Sequence, residues 1–199
     1  VLHADETPVA MLKPGHGKTH RAYLWSYCTT QFNPVKAVVF DFADSRGGQH
    51  VRSFLGLPGS EQNPGWKGKL VIKGLVSPDD ARIARESGVD GVLISNHGGR
   101  QLDYTMSGLR TLPEIAAVAG GMTVMIDGGI RRGTDVIKAL ALGAHFVFIG
   151  RPFLYAAVAG GQGAVERAIT LLRDEIDRDL ALMGIRSLGE ITPDIVRKF

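Results

Sequence analysis

Hydrophobic and polar positions alternate in two different ways along the chain, and the change falls near residue 69. From there onward, short continuous apolar runs are separated by segments with the 3.6-residue period of amphipathic helices. The apolar runs predict four strands, at 69–73, 91–95, 123–127 and 145–150. Continuous apolar strands that alternate with helices are typical of a parallel sheet covered by helices. The pattern therefore predicts an α/β fold for this part of the chain.

The helices between these runs have recognisable ends. Ser77 is predicted to cap a helix that begins at Pro78 and runs to Gly88. Two more helices are predicted, near 113–118 and across 134–142, and the pair Ser187 and Glu190 has capping-box spacing at the start of the tail. A last long helix carries a predicted buried face, formed by Val165, Ala168, Ile169, Leu172, Ile176, Leu180 and Met183.

Each predicted strand ends in polar or glycine residues that can do chemistry. These ends are Lys73, residues 95–97, residues 127–129 and residues 150–151. Right-handed crossovers leave two architectures, an open doubly wound sheet and part of a (β/α)8 barrel. Barrels place their sites at the carboxyl ends of the strands, and commonly bind phosphate after the last two strands. We therefore predict four β/α units, the C-terminal half of a TIM barrel.

Residues 1–56 have a different texture. The segments Tyr23–Tyr27 and Val35–Phe42 predict antiparallel strands joined by turn-rich polar stretches. Residues 57–65 are rich in proline and glycine and have the composition of a junction. The predicted organisation is a mostly-β segment at 1–56, a junction at 57–65 and the partial barrel at 66–199.

Composition narrows the function classes. The 199 residues carry a formal net charge of +3, which favours a solvated surface over a nucleic-acid-binding one. Cys28 is the only cysteine, so no internal disulfide can form, as in a reducing compartment. No apolar run reaches transmembrane length, and the first residues lack a signal pattern. These features predict a cytoplasmic location.

The loop after the second strand of the partial barrel carries the sharpest chemical signal. His97 follows a strand end and precedes two glycines and Arg100. A lone histidine is more often structural, but histidine exchanges protons near neutral pH, and arginine offers a bidentate fork for a carboxylate. Taken alone, Lys73 could be a surface lysine and Asp127 could cap a turn. The loop therefore suggests a site that holds a carboxylate and removes a proton beside it.

At this point residues 66–199 resemble the C-terminal half of the FMN-dependent 2-hydroxy acid dehydrogenases and oxidases, the family of glycolate oxidase, L-lactate dehydrogenase and mandelate dehydrogenase. The order and spacing of several segments carry the resemblance. They are Val71–Gly74, Ser95–Asp103, Asp127–Val136, Lys138–Gly143 and Ile149–Pro152. The resemblance implies FMN as the cofactor and a small (S)-2-hydroxy acid as the substrate, which is oxidised to the 2-oxo acid.

The resemblance also implies roles for individual residues. His97 matches the catalytic base, and Arg100 matches the arginine that binds the substrate carboxylate. Lys73 matches the lysine beside flavin N1 and O2, where negative charge develops, and Ser95 matches a flavin contact. The counterparts of the residues that hold the ribityl chain and phosphate are Asp127, Gly128, Gly129, Arg131, Gly150 and Arg151.

In the family, the first half of the barrel supplies the rest of the site. It contributes further flavin contacts, a tyrosine near the substrate, a second arginine and the aspartate that orients the histidine. None of these has a counterpart before Trp66, so we expect activity to be impaired or lost. Half a barrel also leaves two open sheet edges, and two chains could pair to complete one barrel.

Residues 1–56 resemble an internal piece of a DDE-type insertion-sequence transposase, whose catalytic segment is RNase H-like. The segments that match are His3–Pro8, Lys13–Lys18, Tyr23–Trp25 and Val38–Phe42. The resemblance implies that Asp5 corresponds to a metal-binding carboxylate. Two-metal phosphoryl transfer needs further carboxylates, which cannot be identified in this sequence, so we expect no metal site. Weak nucleic-acid binding is the alternative function, and a gene interrupted by a mobile element would explain the two resemblances.

Overall fold

A computed structural model gives the fold of the chain. It describes the backbone of residues 2–12, 19–29 and 38–43, and residues 69–197 with their side chains. The chain divides into two compact units, Val1–Lys69 and Leu70–Phe199. The junction predicted at 57–65 lies outside the described residues.

The N-terminal unit contains three antiparallel strands in the order β1-β2-β3. They are β1 (Leu2–Leu12), β2 (Thr19–Thr29) and β3 (Val38–Ala43). The predicted antiparallel pair is confirmed by β2 and β3, in which Tyr27 is opposite Val39. Strand β1 was not predicted, because its proline and acidic residues are of types depleted in strands. Its Pro8 is tolerated since β1 is an edge strand of the described sheet.

The second unit is a parallel sheet in the order β4-β5-β6-β7 with helices in the crossovers. Its strands are β4 (Val71–Leu75), β5 (Gly91–Ile94), β6 (Thr123–Asp127) and β7 (Phe146–Phe148). Its helices are α1 (Pro78–Glu86), α2 (Gly108–Val118), α3 (Gly133–Ala141) and α4 (Arg151–Leu182). The predicted strand–helix alternation is confirmed, and a four-stranded parallel sheet fits part of a barrel.

One face of this sheet forms the core. Val92 and Ile94 of β5 and Val124 and Ile126 of β6 are almost completely buried, because alternate residues of a strand point to the same face. Helix residues, among them Ala81, Leu112 and Ile115, belong to the same buried cluster. Each fully buried valine or isoleucine stabilises the fold by about 1.5–3 kcal/mol. This packing holds the strands whose carboxyl ends carry the candidate site.

The opposite face of the sheet exposes apolar side chains on both edge strands. Val71 on β4 is 41% exposed, and Phe146 and Phe148 on β7 are 62% and 46% exposed. Their neighbours Ile72 and Val147 pack instead against the core. The two edge strands therefore alternate between a face covered by helices and a face that is open.

Several predicted element bounds are wrong by a few residues. Helix α2 begins at Gly108 rather than near Pro113, so the proline lies inside the helix. Proline has no N–H and so gives up one helical hydrogen bond, but burial of Thr111 and Leu112 on the preceding turn offsets that loss. Strand β4 begins two residues later than predicted and contains an irregularity between Lys73 and Leu75.

Helix α4 is interrupted at Gly160–Gly161, where the backbone is not helical. Ile169 and Met183, both predicted on the buried face, are exposed, so the prediction is wrong for these two residues. The face of α4 that packs against the rest of the unit is therefore narrower than the apolar face predicted from the sequence. Ser187 and Glu190 bond to each other through their side chains beside a short 3₁₀ turn, not as a helix cap. Among the described helices, none is long and apolar enough to span a bilayer.

A carboxylate on α4 caps the N-terminus of α3. Glu175 accepts a hydrogen bond from the backbone N–H of Gly133 at 2.9 Å, and its other oxygen lies 2.7 Å from Arg132 Nη2. The Gly133 amide and the Arg132 side chain hold the pKa of Glu175 below its ordinary value. The hydrogen bond to Glu175 and the negative charge of that carboxylate raise the pKa of Arg132.

We expect this cap to make the unit less stable in acid. Because the pKa of Glu175 is lower in the folded state, its stabilisation is present above the unfolded pKa and is lost as the pH falls through the folded pKa. Glu175→Gln should therefore lower the melting temperature at pH 7. The melting temperature of this variant should also decrease less between neutral and acidic pH than that of the original chain. Glu114→Gln, at an exposed position of α2, is the matched control. Parallel melting curves of Glu175→Gln and the original chain across this pH range would contradict the assignment.

Candidate active site

Three neighbouring strand ends bring predicted site residues into direct contact. Lys73 Nζ on β4 lies 3.3 Å from Asp127 Oδ2 at the end of β6 and donates to Ser95 Oγ at 3.2 Å. Ser95 directly follows β5, which lies between the other two strands. Parallel order therefore explains why Ser95 and Asp127, far from Lys73 in the sequence, meet at its ammonium group. The half-exposed cation can neutralise a negative charge at this edge.

Ser95 also holds the backbone of the loop that follows. Its side chain is 1% exposed, and its hydroxyl oxygen accepts a hydrogen bond from the His97 N–H at 3.0 Å. His97 has a φ of +55°, a conformation that few non-glycine residues adopt. The hydroxyl therefore connects Lys73 to a residue whose backbone conformation needs support.

The imidazole of His97 lies against the backbone of Gly74. A Cβ at Gly74 would be 2.7 Å from His97 Cε1, and the φ of Gly74 is +100°. Both observations require glycine at this position. Within residues 69–197, no side chain forms a hydrogen bond or ion pair with the His97 ring. The ring is therefore placed by packing, and it is open to solvent.

The turn after His97 is held at both ends. Gly98 and Gly99 both have positive φ, and the Asn96 side chain accepts a hydrogen bond from the Gly99 N–H at 3.2 Å. Arg151, the first residue of α4, donates from Nη2 to the Gly98 carbonyl at 3.3 Å. This hydrogen bond connects Arg151, a predicted phosphate-binding residue, to the loop that contains His97.

A cavity of about 220 Å³ collects most of the predicted site residues. The predicted residues that line it are His97, Arg100, Asp127, Gly128, Gly129, Arg131, Gly150 and Arg151. Lys73 and Ser95 contact this group through Asp127 and His97. Sequence reasoning missed Ile130 and Phe148, which also line the cavity. Phe148 could have been found as an apolar residue at a strand end, shortly before the glycine and arginine.

The polar groups beside the cavity fit a ligand that carries hydroxyls and an anionic group. Asp127 Oδ1 is buried and has no hydrogen-bond partner among the described residues, so it can accept a hydrogen bond from a hydroxyl group. The N–H groups of Gly129 and Gly150 donate to no acceptor in the same part of the chain. Free amides and arginines are typical of phosphate sites.

The N-terminus of α3, by contrast, already has carboxylate partners. Asp135 Oδ2 accepts hydrogen bonds from the N–H groups of Arg131 and Arg132, both at 3.0 Å. Glu175 takes the next amide, that of Gly133. The helix end that would otherwise attract an anion is therefore neutralised by the protein itself.

The residues described with side chains hold no cluster of histidine, cysteine or carboxylate groups that could bind a metal ion. Asp5, the predicted counterpart of a transposase carboxylate, lies in β1, and its side chain is outside what the structure describes.

Two family models match the chain. The FMN-dependent dehydrogenase family matches residues 62–198, and the IS66 transposase family matches residues 1–75. The first match covers more than half of the chain. Both resemblances drawn from the sequence are therefore confirmed.

Curated proteins match the same C-terminal region. An L-lactate dehydrogenase of Allorhizobium ampelinum is 49% identical over 130 residues, which are 65% of this chain and 34% of that protein. Glycolate oxidase 3 of Arabidopsis thaliana is 50% identical over 124 residues, which are 62% and 34% of the two chains. The chain thus spans about a third of the length of these relatives.

Solved structures give the same result. The flavin-binding domain of baker's yeast flavocytochrome b2 superposes with a TM-score of 0.62 at 47% identity, over 64% of this chain and 34% of that one. A mandelate oxidase variant with a monooxide FMN adduct gives 0.61 at 44% identity, over 64% and 41%. These neighbours are FMN-dependent TIM-barrel oxidases.

Proposed function

The chain belongs to the FMN-dependent dehydrogenase family, and from this membership we propose that it binds FMN and carries the proton-accepting and carboxylate-binding part of a 2-hydroxy acid oxidation site. FMN is the cofactor of the family. The proposed substrate is a small (S)-2-hydroxy acid, and the proposed product is the 2-oxo acid.

One observation carries this proposal. A single cavity is lined by a proton acceptor (His97), a carboxylate-binding group (Arg100) and a buried carboxylate oxygen without a partner among the described residues (Asp127 Oδ1). A buried, unpaired carboxylate oxygen is costly in an isolated protein, and a bound hydroxyl group would remove that cost. The arrangement therefore supports a site built around a polyhydroxy ligand.

FMN, when bound, accepts the two electrons that the substrate loses. In our proposal Asp127 accepts a hydrogen bond from a ribityl hydroxyl, and the amides of Gly129 and Gly150 with Arg131 and Arg151 hold the phosphate. Lys73 supplies a positive charge where the flavin ring gains negative charge. Its contacts to Asp127 and Ser95 keep the ammonium group beside the cavity.

The substrate would be handled by two residues of one loop. Arg100 offers a planar fork for the substrate carboxylate, and His97 takes a proton from the substrate. The hydrogen bond from the His97 amide to Ser95 and the contact of its ring with Gly74 fix where the base stands. These contacts position the ring without fixing its tautomer.

We expect turnover by this chain alone to be slow. No carboxylate in residues 69–197 bonds to the His97 ring, and loss of such a partner lowers the rate by about 10⁴-fold in the serine-protease case. The chain can therefore bind FMN even if its turnover is slow.

FMN binding should be measured by titrating the purified chain with FMN and following flavin absorbance and fluorescence quenching. We expect saturable binding, weakened by about ten- to a hundredfold in Asp127→Ala, since hydrogen bonds to charged groups contribute about 1.5–3 kcal/mol. Asp174→Ala, at an exposed position of α4, should bind as the original chain does. A chain that takes up no FMN at any concentration, or an Asp127→Ala variant of unchanged affinity, would refute the proposal.

We propose a transposase-like segment at 1–56, a junction at 57–65 and the dehydrogenase region at 66–199. The overlap of the two family matches at residues 62–75 supports a fusion.

Nucleic-acid binding is not favoured as the function, because the net charge is only +3 and the further carboxylates that would bind metal with Asp5 cannot be identified. A cytoplasmic location stays a prediction from the sequence.

A further inference from the structure

We propose that two copies of this chain associate through the edge strands β4 and β7 and close one eight-stranded barrel. This assembly does not depend on FMN binding. Within the described residues, β4 and β7 are the two edges of a parallel sheet, and neither has a partner on its outer side. Each therefore presents a row of unpaired backbone N–H and C=O groups.

The number and direction of the strands favour a second copy. A two-fold axis along the barrel places the β7 strand of one copy beside the β4 strand of the other, and these strands are parallel. The same axis satisfies the second pair of edges at once. Four strands from each copy give the eight of a (β/α)8 barrel.

The curvature of the sheet makes this assembly finite. Pairing β4 with the partner's β7 joins two different edges, and such contacts produce open filaments unless the rotation closes. The unit superposes on TIM-barrel oxidases with TM-scores of 0.61 and 0.62, so its strands follow the arc of a barrel. Because the four strands cover half of that arc, one further copy closes the barrel.

The apolar side chains on the open face of the sheet are suited to contact with a second copy. Val71, Phe146 and Phe148 are exposed on both edge strands, whereas their neighbours Ile72 and Val147 pack against the core. Barrel interiors are filled by bulky apolar side chains that point inward from alternate positions. Strand β7 is Phe-Val-Phe, without the charge or proline that usually protects an exposed edge. Closure would place Val71 of each copy beside the open face of the other copy's β7, which carries Phe146 and Phe148.

The mass of the full 199-residue chain in solution, without FMN, tests the proposal. We expect sedimentation velocity to give twice the 21.4 kDa of one chain. Phe146→Lys should shift the protein to the monomer while circular dichroism keeps its helix content, since a charge in a barrel interior is costly. Ala117→Lys, at an exposed position of α2, the helix that connects the two inner strands β5 and β6, should remain a dimer.

Cross-linking then identifies the edges that meet. In a Cys28→Ser background, chains with Val71→Cys are mixed with chains carrying Phe146→Cys and treated with a bismaleimide. We expect the mixture to give a cross-linked pair, whereas each chain alone gives none, because β4 meets only the partner's β7. A monomeric original chain, a series of growing oligomers, or cross-links within either single variant would overturn the proposal. A monomer that still binds FMN would refute the assembly and leave the proposed function intact.

Discussion

Replacement of His97 by alanine is expected to lower the rate of FMN reduction by (S)-lactate by about 10²–10⁴-fold, which is the usual contribution of a positioned general base. Among the described residues, His97 is the only histidine that lines the cavity, and Gly74 and Ser95 hold it in place. The rate should be measured as anaerobic bleaching of the flavin absorbance in a single turnover. Because the base acts on the substrate and not on the cofactor, FMN affinity should stay nearly unchanged.

His145→Gln is the matched control for this experiment. His145 follows α3 and uses its Nδ1 to accept a hydrogen bond from the Val124 N–H at 3.1 Å, away from the cavity. A glutamine oxygen can accept the same hydrogen bond, so the fold and the reduction rate should persist. If the His97→Ala chain reduces FMN as fast as the original chain, His97 is not the proton acceptor.

Gly133→Ala is expected to destabilise the C-terminal unit by about 1–3 kcal/mol, the usual cost of overpacking. A Cβ at Gly133 would lie 2.8 Å from the Ile176 backbone nitrogen and 2.9 Å from the carbonyl carbon of Glu175. Both are backbone atoms, so they cannot move aside as a flexible side chain would. Helices α3 and α4 would have to separate, which also breaks the cap that Glu175 provides.

Gly163→Ala gives the opposite expectation with the same chemical change. Gly163 lies in a helical part of α4, and a Cβ added there would have no neighbouring atom within 4 Å. Removing a helical glycine there should stabilise the unit by about 0.5–1 kcal/mol. Thermal unfolding measures both variants, since each kcal/mol shifts the melting temperature by about 2–4 °C in a chain of this size. If both variants shifted the melting temperature equally, the close approach of α4 to Gly133 would not limit the packing of these two helices.

Elements with their own local signals were predictable from the sequence. Strand β6 has the predicted bounds Thr123–Asp127, and α1 begins at Pro78 after the predicted Ser77 cap. Helix α2 was predicted too short, because Pro113 is a strong local signal and the burial that overrides it depends on tertiary packing. Edge strand β7 was predicted too long, since its apolar run continues past the last residue that can pair with β6.

The candidate site was predictable where residues lie at strand ends. Parallel topology alone places Lys73, Ser95 and Asp127 together, and the family resemblance supplied roles that the variants above test. The supporting contacts were not predictable, because they join distant parts of the chain. Arg151 reaches the carbonyl of Gly98, 53 residues away, and Glu175 caps a helix 42 residues before it. No spacing rule connects such pairs.

The carboxylates at the start of α3 determine how an anion can be held in this cavity. Asp135 and Glu175 already occupy the first amides of the helix, so the helix dipole contributes little to a bound phosphate. Besides the free amides of Gly129 and Gly150, the attraction falls to the exposed cations Arg131 and Arg151. Charges exposed to solvent are screened over about 10 Å at 0.1 M salt, whereas buried charge pairs are screened much less. Phosphate affinity in this protein should therefore be sensitive to ionic strength.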